Sequence, residues 1–289
     1  MIRKAVIPAA GFGTRMLPAA KAVPKELLPV LDKPTIQYVV EECVAAGITH
    51  ICLIVSPDKP ALQQHFAPAE ALEARLREAG KESLLSSVTL LRERAKIDVV
   101  QQTEQLGLGH AVLCAREWVG DEPFACLLGD TIFSGSVTPT TELVRQFQSA
   151  GTSVIGLERV APERVSRYGI VDGNWIKPNL LDIKRLIEKP ATARLPLAIA
   201  ARYALSPGIF DCLERTPRGK GGEIQLTDAI NRLTESQPVH GLVVTGRRHD
   251  IGNPTDWLIT NLLFARRDAR LWSAIQFALR ADDTEARIG

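Results

Sequence analysis

Short apolar runs alternate with helical patterns along the first 130 residues of the chain. The strands that these runs predict are Ala5–Ala10, Ile51–Val55, Val88–Leu91, Ile97–Gln101 and Phe124–Leu128. Between them, apolar residues recur at helical spacing from Ile36 to Val44, and a charged helical pattern runs from Ala61 to Gly80. This alternation is typical of βαβ units, so the sequence predicts an α/β fold with a doubly wound, mainly parallel central sheet and helices on both faces.

The second part of the chain is richer in strand patterns than in helical ones. Its predicted strands are Ser153–Leu157, Ile170–Val171, Ile183–Ile187, Ala198–Leu205 and Val239–Val244. They predict a sheet region added to the first one. A helix is predicted over Glu223–Thr234, and a C-terminal helical extension is predicted to begin at Pro254 with Asn253 as its N-cap.

Composition narrows the classes of function. The 289 residues carry 35 Lys and Arg against 33 Asp and Glu. A net charge of +2 lacks the excess of positive charge that binding to nucleic acid or to an anionic membrane needs. An anionic ligand must therefore be held by a local group of cations. The five cysteines lack the paired spacing of a zinc site, and no apolar run has the length of a signal peptide or a spanning helix. We expect a cytoplasmic protein.

A glycine-rich segment directly after the first predicted strand carries the strongest chemical signal. Gly11 and Gly13 allow backbone N–H groups to approach phosphates closely, and open α/β sheets bind ligands at this edge. A simple tight turn is the structural alternative. A nicotinamide-dependent oxidoreductase is a weaker one, because Met16 replaces the third glycine of the dinucleotide fingerprint and the loop Ser56–Asp58 lacks the expected acidic strand end.

A longer series of motifs resembles the bacterial UTP–glucose-1-phosphate uridylyltransferases, which are sugar nucleotidyltransferases. In chain order, the motifs are Gly11–Pro18, Pro24–Pro29, Asp32–Pro34, Gln37–Val40, Gly107–Val112, Glu188–Pro190, Gly222–Ile230 and His249–Asn253. The resemblance implies transfer of the uridylyl group of UTP to α-D-glucose 1-phosphate, which forms UDP-glucose and pyrophosphate. It also implies in-line attack without a covalent intermediate, and the chain offers no recognisable Ser/His/Asp or Cys/His arrangement for nucleophilic catalysis.

The resemblance further implies which residues form the sites. The implied catalytic residues are Arg15, Lys25 and Lys189. The implied nucleotide-binding residues are Ala10, Gly11, Gly13, Thr14, Gln102 and Gly107. The sugar phosphate is expected at Gly169, Glu188 and Lys189. Asp130, which ends the most apolar strand and needs a cation or solvent there, is expected to hold Mg²⁺ together with Asp250.

The organisation that follows from this resemblance is a single nucleotidyltransferase domain over residues 1–289. Residues 1–130 form its nucleotide-binding half, residues 131–252 its sugar-phosphate half with the acceptor-site sheet region, and residues 253–289 its C-terminal helices. The resemblance also suggests a homodimer or homotetramer. An apolar stripe of Leu258, Leu262 and Ala265 could serve that association or could pack on the chain's own sheet.

Several positions depart from the pattern of the resembling family. They are Ala20, Gln101, Leu106, Leu195, Pro196, Ala201 and Pro254, which stand where Thr, Arg, Lys, Ser, Asn, Gly and Lys are usual. Two alternatives therefore stay open. One is a nucleotidyltransferase for another sugar 1-phosphate or nucleotide, and the other is a non-catalytic regulatory paralogue that binds a nucleotide sugar.

Overall fold

The computed structural model describes residues 1–285, within which the chain forms thirteen strands and eleven α-helices. The strands are β1 (Lys4–Pro8), β2 (Pro29–Val30), β3 (Lys33–Pro34), β4 (His50–Val55), β5 (Lys96–Gln101), β6 (Phe124–Leu127), β7 (Thr131–Ser134), β8 (Ser153–Arg159), β9 (Gly169–Lys177), β10 (Leu180–Glu188), β11 (Leu197–Leu205), β12 (Val239–Val243) and β13 (Arg247–Asp250). The helices are α1 (Thr35–Ala45), α2 (Pro60–Phe66), α3 (Glu70–Glu78), α4 (Glu82–Arg94), α5 (Leu108–Leu113), α6 (Arg116–Val119), α7 (Pro139–Ala150), α8 (Ile209–Glu214), α9 (Leu226–Ser236), α10 (Pro254–Ala265) and α11 (Ala269–Glu285).

The main sheet has nine strands in the order β5-β4-β1-β6-β11-β8-β12-β10-β9. The first four are parallel, as predicted for the first half of the chain. The second half of the sheet is mixed and corrects the prediction of a mainly parallel sheet: β12 runs parallel to β8, but β11 runs antiparallel to β6 and β8, and β10 runs antiparallel to β12 and β9. Only two residues join β9 to β10, and such a short connection permits an antiparallel hairpin but not a crossover.

Two sequence predictions about the first half need correction. Val88–Leu91, predicted as a strand, lies inside the helix α4, because a four-residue segment with three apolar residues cannot distinguish a strand from a helix segment. The segment from Ala61 to Gly80 is two helices, α2 and α3, and Pro68 lies in the break between them.

Helices cover both faces of the main sheet. On one face, α1 and α7 bury Val39, Cys43 and Leu143 in a core with residues of β1, β4, β8 and β11, and α7 itself packs on β8 and β11. On the other face, α5, α8 and α9 bury residues such as Val112 and Phe210. The aliphatic side chains of β1 alternate between these two cores, which is why the strand is apolar throughout.

A small antiparallel pair, β7 with β13, stands beside the main sheet and opposes Thr131 to Asp250. The helix α10 follows directly, and the side chain of Asn253 accepts a hydrogen bond from the amide of Asp256, as the predicted N-cap should. The C-terminal helical segment is predicted to extend to residue 289. Residues 286–289 of this segment lie outside the described part of the chain. No described helix combines the length and the apolar character that crossing a membrane requires.

Candidate active site

A cavity of about 340 Å³ lies where the parallel strands of the first half end. Because β1, β5 and β6 are parallel members of one sheet region, the residues that follow them meet at the same edge. Six residues predicted from the sequence line this cavity: Ala10, Gly11, Lys25, Gln102, Gly107 and Asp130. The fold therefore brings the predicted nucleotide and reaction-centre residues together.

The glycine loop leaves β1 through the buried Ala9 and Ala10. Gly13 has a φ of 67°, a left-handed conformation that glycine adopts without steric cost, and it turns the chain into a short 3₁₀ turn over Thr14–Met16. The predicted residues Gly13, Thr14 and Arg15 are outside the set that lines the cavity. They lie on the turn that closes the loop.

Lys25 and Asp130 form an ion pair with 2.5 Å between Nζ and Oδ2. Burial alone would raise the pKa of Asp130, but the ammonium of Lys25 and the guanidinium of Arg15 outweigh it, so this pKa lies below its ordinary value. Burial alone would lower the pKa of Lys25, yet the carboxylates of Asp130 and Glu26 outweigh it and raise this pKa. Both groups are therefore charged at neutral pH.

Gln102 lies directly after β5, is 2% exposed, and is fixed from two sides. Its Nε2 donates to the carbonyl oxygen of Gly107 at 3.2 Å and lies 3.0 Å from Nδ1 of His110. Gly107 has a φ of 92°, and a Cβ placed on it would be 2.7 Å from the Cβ of Glu223. Only glycine satisfies this conformation and this close approach.

Glu223 was predicted to begin a helix, but α9 begins three residues later, at Leu226. Glu223 lines the cavity instead. The main chain of the next residue, Ile224, pairs with the glycine motif: its amide donates to the carbonyl oxygen of Leu106, and its carbonyl oxygen accepts from the amide of Gly109. The helical periodicity of the apolar residues did not reveal this strand-like approach, because it depends on pairing with residues 106–109.

Asp250, the second predicted metal ligand, lies beside Asp130 in the fold. The amide of Ile251 donates to the carbonyl oxygen of Asp130 at 2.9 Å. A Cβ placed on Gly252 would lie 2.8 Å from a guanidinium nitrogen of Arg15 and 2.9 Å from Oδ1 of Asp250. The side chains of Arg15 and Asp250 therefore both lie next to Gly252. Among the described residues, no group of three or more His, Cys, Asp or Glu side chains could hold a metal by itself.

The predicted sugar-phosphate residues form a second group on β9 and β10. Gly169 is opposite Glu188 in the strand pairing, and Thr227 donates to Oε2 of Glu188 at 3.0 Å. Lys189, with Nζ 3.1 Å from Oε1 of Glu188, has a side chain that is 56% exposed. A second cavity of about 190 Å³ is lined by Asp250 and by Tyr168, which precedes Gly169, whereas the three predicted sugar-phosphate residues are outside its lining.

Two charged residues in the first group escaped prediction as site residues. Glu26 is 2% exposed and lines the main cavity, and Lys59 is 8% exposed behind the glycine loop. Lys59 follows β4, the neighbour of β1, and this position at the carboxyl edge of the sheet is the sequence signal for a place near the site. The preceding loop, Ser56–Asp58, counts in the sequence only against a dinucleotide site.

Comparison with known proteins agrees with this geometry. The family described as "Nucleotidyl transferase" matches residues 4–266 of the chain. UTP–glucose-1-phosphate uridylyltransferase 1 of Staphylococcus saprophyticus is 47% identical over 269 residues, which cover 92% of this chain and 94% of that relative.

Solved structures give the same result. A UTP-bound UGPase from Acinetobacter baumannii matches with a TM-score of 0.88 and 35% identity, covering 96% of this chain and 99% of its own. A UDP-glucose pyrophosphorylase complexed with UDP-glucose matches with a TM-score of 0.86 and 34% identity, covering 92% of this chain and 100% of its own. The match over almost the whole length, together with the glycine loop and the Lys25–Asp130 pair, identifies this chain as a member of the nucleotidyl transferase family.

Proposed function

We propose that this chain transfers the uridylyl group of UTP to α-D-glucose 1-phosphate and releases UDP-glucose and pyrophosphate. The observation that carries the proposal is the charged Lys25–Asp130 pair beside the glycine loop, in one cavity with Gln102. The uridylyltransferase name of the Staphylococcus relative and the UTP and UDP-glucose bound to the two similar structures support this choice of substrates.

Base selection is assigned to Gln102. Its Nε2 is held by Gly107 and His110, and within residues 1–285 its carbonyl oxygen accepts no hydrogen bond from the protein. That oxygen is suited to accept from the N3–H of uracil. Gly107, which has no space for a side chain beside Glu223 and whose carbonyl oxygen holds Gln102, is the glycine that would pack against the base.

Asp130 and Asp250 fit Mg²⁺. They are carboxylates on adjacent segments, Asp130 is kept ionised by Lys25 and Arg15, and Mg²⁺ favours one or two carboxylates completed by phosphate oxygens and water. A bound Mg²⁺ would neutralise charge on the phosphate groups and favour the in-line geometry. The two aspartates would hold it, and Lys25 would then be free to turn its ammonium toward the nucleotide.

The transfer needs positioning and charge stabilisation, without a protein nucleophile. A phosphate oxygen of the sugar phosphate attacks the α-phosphorus of UTP, and the bond from that phosphorus to the oxygen bridging to the β-phosphate breaks, which releases pyrophosphate. Lys25 and Arg15 stabilise the negative charge on the transferred group, and Lys189 binds the phosphate of the attacking sugar. Glu188 accepts hydrogen bonds from the sugar hydroxyl groups, with Gly169 beside it.

The test is pyrophosphate release from UTP and glucose 1-phosphate with magnesium, repeated with four nucleotides and several sugar 1-phosphates. We expect release with UTP and glucose 1-phosphate to exceed every other pair and to stop when EDTA removes the metal. Release with a different pair alone would identify another nucleotidyltransferase. Nucleotide-sugar binding without turnover in either direction would identify the regulatory paralogue instead.

We also propose a homodimer or homotetramer that associates through α10. Leu258 and Leu262 of the apolar stripe are 54% and 41% exposed, whereas Ala265, at its end, is 2% exposed and packs within the chain. The two exposed leucines form the face available for a second copy. Light scattering over a range of protein concentrations tests this, and a monomer at every concentration contradicts it.

A further inference from the structure

Lys59 donates three hydrogen bonds behind the glycine loop. Its Nζ lies 3.0 Å from the carbonyl oxygen of Ala9, 2.5 Å from that of Gly11, and 3.1 Å from Oε2 of Glu26. These partners use all three hydrogens of the ammonium. Lys59 is 8% exposed and is outside the set of residues that line the nucleotide cavity, so its charged group faces the protein and not the ligand.

These contacts determine the direction of two amide groups. A trans peptide places its carbonyl oxygen and its N–H on opposite sides, and the only cis peptide of the described chain is Leu17–Pro18. Because Lys59 draws the carbonyl oxygens of Ala9 and Gly11 toward itself, the amides of Ala10 and Phe12 are directed away from it. Within residues 1–285, neither amide donates to a protein acceptor.

Glu26 connects this arrangement to the reaction centre. Its Oε1 lies 3.9 Å from Nζ of Lys25, and Lys25 in turn contacts Asp130 at 2.5 Å. Positive and negative groups therefore alternate from Lys59 through Glu26 and Lys25 to Asp130. The buried ammonium of Lys59 and the partly buried ammonium of Lys25 share one carboxylate, so movement of the loop and movement of Lys25 are electrostatically linked.

We propose that Lys59 is a positioning residue for the triphosphate: it holds the glycine loop with the amides of Ala10 and Phe12 directed at the ligand. This inference rests on the proposed function, which places a nucleoside triphosphate in the cavity. Backbone N–H groups directed into a concave loop bind phosphate oxygens, and holding them in advance avoids the cost of ordering the loop on binding. Lys59 acts from the far side of the loop and makes no contact with the nucleotide.

The experiment compares Lys59→Met with wild type by calorimetry, using UTP, inorganic triphosphate and UMP as probes. We expect Lys59→Met to weaken binding of UTP and inorganic triphosphate by about tenfold or more, the scale of one charge-assisted hydrogen bond. UMP binding should change by less than about twofold, because Gln102 and Gly107 hold the base and lie outside the loop. In turnover, the KM for UTP should rise while the KM for glucose 1-phosphate stays constant.

Three variants control for folding and charge. Lys59→Arg keeps a cation with several donors and should restore triphosphate affinity to within a few fold of wild type. Lys59→Met combined with Glu26→Gln leaves no unpaired buried charge, so it should fold while still binding triphosphate weakly. Lys4→Met is the matched control, since Lys4 also donates to a carbonyl oxygen, that of Val119 at 2.9 Å, and pairs with Glu122 at the opposite end of β1.

The outcomes separate the positioning role from the proposed activity. Equal loss of UTP and UMP binding in Lys59→Met would mean general destabilisation of the site and overturn the proposal, as would unchanged triphosphate binding. If wild type released no pyrophosphate from UTP and glucose 1-phosphate, the proposed activity would fail. The comparison of inorganic triphosphate binding between wild type and Lys59→Met would still decide the role of Lys59.

Discussion

The nucleotide-binding and sugar-phosphate regions of this chain hold their charged side chains in different ways. In the first region, the side chains of Lys25, Glu26 and Lys59 are 15%, 2% and 9% exposed, and each has a charged partner. In the second, Lys189 and Glu188 are 56% and 30% exposed. The first region is arranged before a ligand arrives, whereas the second must lose side-chain freedom when it binds one.

This difference follows from the topology. Parallel strands present their loops at one edge, where the glycine loop, Gln102 and Asp130 crowd into a single cavity. Gly169 and Glu188 instead lie opposite each other at the open end of the β9–β10 hairpin, where β9 also pairs with β11 through Ile170 and Ala198.

The strongest test concerns β11, the strand that joins the two regions. Arg202 is fully buried, donates twice to Glu42, and donates to the carbonyl oxygen of Thr131 next to Asp130. We expect Arg202→Met to lower the free energy of unfolding by about 3–5 kcal/mol, because it leaves a buried carboxylate unpaired. Urea unfolding followed by circular dichroism measures this. Adding Glu42→Leu should recover part of the loss, and a small loss in the single variant would contradict the argument.

Asp130→Asn tests whether the first region carries the chemistry. The variant keeps the shape of the side chain but removes the charge that pairs with Lys25. We expect turnover to fall by about a hundredfold or more, near 3 kcal/mol in the barrier. Steady-state kinetics measures the fall, and calorimetry should still detect UDP-glucose binding through Gln102 and Glu188. Near-normal turnover in the folded variant would remove Asp130 from the reaction centre.

Lys189→Met tests whether the exposed second region serves the sugar phosphate alone. We expect the KM for glucose 1-phosphate to rise by about tenfold, or 1.4 kcal/mol, because one phosphate contact is lost. The KM for UTP should stay constant. Lys184→Met is the matched control, since Lys184 lies on β10, which ends one residue before Lys189, and is 60% exposed, but it pairs with Asp182. A parallel rise in both KM values would contradict a separate acceptor site.

The smallest effect is expected at an exposed ion pair of the second region. Arg194 contacts Asp172 through two nitrogens, as Arg202 contacts Glu42, but the two side chains are 63% and 40% exposed. Solvent screens such a pair, so Arg194→Ala should leave the urea midpoint unchanged within error. A loss as large as that of Arg202→Met would mean that burial does not explain the difference between the two regions.

Local pattern and motif order by themselves determined much of this protein. Apolar runs located β1, β4 and β6, because a strand buried on both faces must be apolar throughout, and a shorter apolar run located the edge strand β5. The N-cap at Asn253 followed from side-chain chemistry alone. The glycine motif and Asp130 located the edge of the sheet where the cavity lies. Glycine-specific conformations and buried charges occur in few structural settings.

Only the tertiary structure decided the strand directions of the second half and the position of Lys59 behind the glycine loop. The antiparallel pairing of β11 with β6 depends on contacts between residues far apart in the chain, from Arg202 with Leu127 to Leu205 with Phe124. The helix α4 in place of a strand, and the left-handed Ala201 in β11, follow from packing that short-range periodicity does not encode. Lys59 is 48 residues from Gly11 along the chain, and parallel pairing of β1 with β4 is what brings its ammonium beneath the loop.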